Sequence, residues 1–255
     1  MASFIVYDSI NMYRSDNDVN EGSLSGSSPT QTFSESDTIT NHERVADQSI
    51  GTAISNVASG DTIQYALGSS ATADVAVAYF TGASGGSNPI INIKKGTSGS
   101  IALIGTINSV SSAGWSLGSL TETTDTKFYI QLNGSINNCA EVLIGKKLNF
   151  EVEPDANVQE SFDSQNTILR SLGGTEYALN TSDPQKIFTI TFGNISQTFK
   201  NDLITFMENV KVEAKKFLYF DGSAYHWCRL TGPLTFNEVA DSRYSTSIQM
   251  RQQIQ

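Results

Sequence analysis

Positive charge is scarce in this chain: 255 residues hold 16 Lys and Arg against 26 Asp and Glu, a net charge of −10. Duplex nucleic acid is therefore excluded as a partner, because phosphate contacts need clustered bases. Lys94-Lys95, Lys146-Lys147 and Lys215-Lys216 are isolated pairs. Cysteine is almost absent too. Cys139 and Cys228 stand far apart in sequence with no second ligand near either, which rules out a zinc spacing or a redox pair and leaves buried thiols. The only histidines are His42 and His226. No apolar run approaches the roughly 20 residues that a membrane-spanning helix needs, so no membrane insertion is expected. Met1 to Ile10 lacks a basic start, and Asp8 interrupts its apolar stretch. The expectation is a soluble chain made in a cytoplasm, without an export signal.

What is present is patterned as strands. Apolar residues make up 38% of the chain, enough to give one large or two ordinary domains a core. Residues 1–47 read as an extended polar arm or loop, with Phe33, Ile39 and Val45 as sparse anchors. Eight acids and two bases fall within residues 1–60, so −6 of the net −10 lies there. Such a segment forms no core alone. It is either a solvated loop or an arm that orders against a neighbouring subunit.

Residues 48–148 alternate apolar and polar positions, as in Ile63, Tyr65 and Leu67, in Val75, Val77 and Tyr79, and in Phe128, Ile130 and Leu132. Gly, Ser and Asn punctuate these runs, and the pattern predicts an antiparallel β-sandwich without a helix. Glu153 to Asn157 marks a turn or linker into a second domain, 149–255. Gln159 to Leu172 fits either an extended segment or a weak helix, and Thr175 to Leu179 a strand. Ile187 to Phe192 then alternates as a half-buried strand. Phe199, Leu203, Phe206, Met207 and Val210 follow at helical spacing, predicting one helix near 197–212. Strands at Phe217–Phe220, Trp227–Leu230 and Tyr244–Met250 complete a β-barrel or sheet with that helix packed on it. The fold class expected is mainly β.

Candidate chemistry is sparse. Gly82-Ala83-Ser84-Gly85-Gly86 matches the spacing of a nucleophile elbow, but that motif needs a helix directly after it, and Ser87-Asn88-Pro89 follows instead. His226 lies between Tyr225 and Trp227 in a strand, where a hydrogen-bonded or solvent-facing imidazole is expected, and His42 lies in the polar arm. Asp16, Asp18 and Asn20 alternate like the start of a calcium loop, yet Gly22 and Ser27 occupy the wrong positions for an EF-hand. A calcium ion held by another geometry and a solvated acidic loop both fit them. No catalytic set, cofactor or metal site is expected. Tyr79, Trp115 and Tyr129 are candidates for stacking on a glycan.

Several phrases together resemble tail proteins of tailed bacteriophages. They are Thr72-Ala73-Asp74-Val75-Ala76-Val77-Ala78-Tyr79-Phe80, Leu143-Ile144-Gly145-Lys146-Lys147-Leu148, Arg170-Ser171-Leu172-Gly173-Gly174 and Trp227-Cys228-Arg229-Leu230-Thr231-Gly232-Pro233-Leu234, with the strand–helix pair from Phe192 to Val210. In that family a galactose-binding-like or discoidin-like sandwich can precede a β-barrel of distal-tail or tail-tip ring proteins. The resemblance implies a structural virion protein of the tail tip or baseplate, made in the host cytoplasm. Its partners would be copies of itself in a trimeric or hexameric ring, tube and hub proteins, and a host-surface glycan. Two other classes stand beside it: a carbohydrate-binding module for host attachment, and a hydrolase built on Ser84.

Overall fold

A computed structural model describes residues 3–9, 29–32, 50–54, 58–84, 90–97, 100–134, 136, 138–151, 158–163, 166–170, 176–180, 184–211 and 215–253. Asp16, Asp18, Asn20, His42, the Gly85–Pro89 part of the glycine-rich loop and the Glu153–Asn157 turn lie outside them. The fold is mainly antiparallel β with a single helix among the described residues. The chain divides into two compact units, Val6–Leu148 and Met1–Ile5 with Asn149–Ile254.

Strand β1 (Phe4–Tyr7) contributes to both units, Phe4 and Ile5 to one and Val6 and Tyr7 to the other, and all four residues are buried. This corrects the polar-arm reading of residues 1–47 at its start. Four consecutive apolar side chains on a strand point to both faces, so both must be covered. Within the same stretch, β2 (Pro29–Thr32) is also a strand, paired antiparallel with Thr62–Tyr65.

In the Val6–Leu148 unit, two 19-residue strands, β3 (Thr62–Phe80) and β6 (Gly114–Leu132), run antiparallel for their whole length. Their ladder is interrupted between Ala66 and Ala71 and between Ala73 and Val75, where bulges let a long ribbon bend. The first half of β3 lies between β2 and the second half of β6. That half of β6 also pairs with β4 (Ile91–Thr97), which pairs with β5 (Ser100–Ile107). The second half of β3 lies between β6 and β7 (Cys139–Asn149). Ile63 and Tyr65 from one half and Ala76, Ala78 and Phe80 from the other enter one core with Phe128, Ile130 and Ile144. Residues two apart fill it, and Val75 and Val77, on the other face of β3, are buried as well.

Glycines permit the tightest approaches in this unit. A β-carbon on Gly118 would collide with the Thr106 carbonyl, and one on Gly145 with the Tyr7 carbonyl.

The second unit is an open sheet rather than a barrel among its described strands, in the order β12 (Phe217–Phe220), β13 (Tyr225–Leu230), β15 (Arg243–Gln252), β11 (Gln185–Ser196), β8 (Gln159–Asp163). β14 (Asn237–Ala240) pairs with β15 on the side away from β11. β8 settles the extended reading of Gln159 onward. β9 (Asn166–Arg170) and β10 (Glu176–Asn180) form a separate two-stranded ladder between β8 and β11 in sequence.

Helix α1 (Gln197–Val210) is capped by Ser196, whose Oγ accepts the Phe199 N–H at 3.1 Å and donates to Glu151 Oε2 at 2.6 Å. It ends on Lys211 in the left-handed region, φ 49°. Phe199, Leu203, Phe206 and Val210 are buried on its inner face, with Phe199 5.7 Å from Phe192 and Phe206 5.0 Å from Phe217 between ring centroids.

Candidate functional site

Tyr79 and Trp115 are direct cross-strand partners on β3 and β6. Their rings meet edge to face, 5.2 Å apart at 60°, and both are half-buried. This geometry fixes two aromatic planes without sealing them, which leaves partly open ring surface for a flat apolar face. Tyr129 does not join them. It lies in the other half of β6, opposite Gln64 and Lys94, and only 3% of it is exposed. Burial, and then the nearby Asp125 carboxylate, push its phenol pKa upward. The stacking reading of Tyr129 is thus corrected: β-strand alternation predicted an outward side chain, but Phe128, Tyr129 and Ile130 are all buried.

Ser84 is occupied structurally. Its Oγ accepts the Val110 N–H at 2.9 Å, and its own N–H donates to the Val110 carbonyl at 3.1 Å. The Asn138 amide donates to the carbonyls of Gly82 and Ala83 at 3.1 and 2.7 Å. These bonds stitch a loop, and the next described element is strand β4.

His226 has a defined partner that the sequence did not reveal. The β12–β13 hairpin turns at Asp221, whose Oδ1 accepts the N–H groups of Ser223 and Ala224, each at 2.7 Å, and whose Oδ2 lies 2.7 Å from His226 Nε2. Burial alone would raise the Asp221 pKa. The bonds from Ala224, His226 and Ser223 outweigh it and hold the carboxyl well below its usual range. The imidazole packs 4.8 Å from the Phe188 ring and is 7% exposed. Tyr219 lies beside it, its hydroxyl pushed up to about 12, chiefly by burial. The Asp-Gly-Ser-Ala turn was the available signal, since Asp accepts from the backbone two residues on.

A pH dependence follows. A carboxyl with a depressed folded-state pKa stabilises the fold above its unfolded value, about 3.9, and this contribution is lost as pH falls through the folded value. Asp221→Asn should therefore be less stable than the parent at neutral pH. The deficit should shrink as pH falls below about 4, where the parent loses the same contribution. Urea midpoints across that range measure it, and a pH-independent deficit would contradict it.

On the sheet face opposite α1, β11 and β15 present polar side chains, whereas Leu218, Phe220 and Trp227 of β12 and β13 are buried. Thr231 Oγ1 donates to Gln249 Oε1 at 3.0 Å, Thr191 and Ser247 hydroxyls lie 3.5 Å apart, and Arg229 stands opposite Arg251, which pairs with Asp163 at 3.1 Å. Two shallow pockets open on this side, about 320 Å³ beside Thr191, Asn237 and Ser247 and about 290 Å³ beside Arg229, Thr231 and Arg251. Alternate residues of β15, Ser245, Ser247, Gln249 and Arg251, carried the signal for it.

The sheet ends on two exposed strands. β8 pairs with β11 alone and β14 with β15 alone among the described strands. Phe162 on β8 is 66% exposed and Val239 on β14 54%.

No family model and no curated protein sequence matches the chain. Among solved structures it is similar to a truncated AlyQ with CBM32 and alginate lyase domains, at 17% identity and a TM-score of 0.35. The match covers 78% of this chain and 56% of that one, so the chain spans just over half the length of that protein. A score this low leaves fold and function to be argued from the chain itself.

Proposed function

We propose that this chain is a structural protein of a bacteriophage tail, at the tip or baseplate, that works through assembly contacts and carries no catalytic step, cofactor or metal. It would be made in the host cytoplasm and carried in the virion tail. The observation that supports this reading is the second unit's sheet, with α1 packed on one face and exposed strands β8 and β14 on opposite sides of β15. Two different edges on one body suit head-to-tail contacts, which close into rings when the rotation permits. Copies of the chain, in a trimer or hexamer, are the first partners, and tube and hub proteins the next. Negative-stain images of the purified chain should show closed rings, and Phe162→Asp, which places a charge at one edge, should open them. Rings that survive Phe162→Asp would remove β8 from the contact.

A second reading, a carbohydrate-binding module for host attachment, rests on the Tyr79–Trp115 pair. Under it, the full chain binds host-surface glycans on an array and Trp115→Ala abolishes the signal. Equal binding by the variant would contradict it.

A further inference from the structure

Sheet edges expose unpaired N–H and C=O groups, and proteins commonly guard them with charge. The edges of the helix-bearing unit carry charge, Glu160 and Asp163 on β8, paired inward with Lys186 and Arg251, and Glu238 on β14. β5 does not, because Ser100-Ile101-Ala102-Leu103-Ile104-Gly105-Thr106-Ile107 contains no charge and no proline. On one side it pairs with β4 along its whole length. On the other it meets β6 only at Gly105, opposite Leu120, so residues 100–104 form an open edge among the described strands. Ile101 is 49% and Leu103 56% exposed, while Ile104 is buried in the core. Two neighbouring aliphatic side chains on one face of an unguarded edge mark an interaction surface.

We propose that this edge joins two copies of the chain, β5 against β5, antiparallel about Ala102. The occupant follows from the strand's own sequence. Antiparallel pairing about a two-fold axis places residues equally far from the axis opposite each other. Ala102 is the midpoint of the open stretch 100–104. Pairing there sets Ile101 opposite the partner copy's Leu103, and Ser100 opposite its Ile104. Aliphatic side chains exposed in one copy thus cover one another, and no like charges meet within the ladder. Registers centred further toward the C-terminal end of β5 would push Thr106 and Ile107, already beside β6, into the contact. The nearest like charges, Lys94 and Lys95, lie one strand inward on β4. In the pair they stand three strand spacings from their counterparts, roughly 14 Å, where salt screens them.

The test uses the full chain carrying Ala102→Cys. The native cysteines, Cys139 and Cys228, are both buried and do not compete. Opposed residues in an antiparallel pair have Cα atoms about 4.5–5.5 Å apart, within disulfide reach. Mild oxidation should yield a covalent dimer rapidly, while Ser119→Cys, at an exposed β6 position, should give little. Adding Leu103→Lys, a change at an exposed site that leaves the core intact, should reduce the cross-linked fraction by about tenfold or more, because it puts new charges into an apolar contact. Cross-linking of Ala102→Cys no faster than the Ser119→Cys control, or unaffected by Leu103→Lys, would overturn the proposal. It stands apart from the tail reading, since rings built on β8 and β14 survive Leu103→Lys.

Discussion

Gly145→Ala should cost about 3 kcal/mol or more, the upper end of what a single overpacked position costs. The backbone there is not left-handed, so alanine meets no conformational penalty of its own. Space alone forbids it. A β-carbon would overlap the Tyr7 carbonyl oxygen and lie 2.9 Å from the Ser9 nitrogen, both backbone atoms that no rotamer change can move. Accommodation means parting β7 from β1, and buried backbone groups then lose their partners. Gly82→Ala in the same unit is the matched control, because its β-carbon meets nothing nearer than the Asn138 side chain at 3.9 Å. Denaturant unfolding of the two variants measures the difference. Equal midpoints would show that β7 and β1 do not approach as closely as described.

Phe206→Ala should cost about 3–5 kcal/mol, the range for an aromatic removed from a packed core. Phe206 is fully buried and meets Phe217 edge to face at 86°. Its loss opens a cavity between helix and sheet at the centre of the helix's inner face. A 14-residue helix is marginal alone in water, so α1 depends on this packing. Glu208→Ala, on the exposed face, should stay within about 0.5 kcal/mol of the parent. Far-ultraviolet circular dichroism during urea unfolding reads both. A Phe206→Ala loss no larger than that of Glu208→Ala would mean that the helix does not rest on this sheet.

The α1 region was the most legible part of the sequence. Phe199, Leu203, Phe206 and Val210 recur at a period that only a helix satisfies, and all four are buried. Alternation likewise found segments of β3 and β6, but not β2, which lies in the stretch read as a polar arm. It could not say that β3 and β6 are single 19-residue strands, because residues 66–73 lack apolar alternation and the bend there is carried by bulges. Phe4–Tyr7 was missed because four consecutive apolar residues have no period, and a strand covered on both faces does not need one. Tyr129 misled for a related reason, lying in a run where neighbouring positions are all buried. The edges β5, β8 and β14 were invisible as edges, since pairing partners are a property of topology rather than of any one strand's residues.

The most direct test of ring assembly is the solution mass of the Leu103→Lys chain by size exclusion with light scattering, a change that leaves β8 and β14 intact and disfavours the proposed β5 pairing. A trimer or hexamer is expected. A monomer at every concentration reached would contradict it.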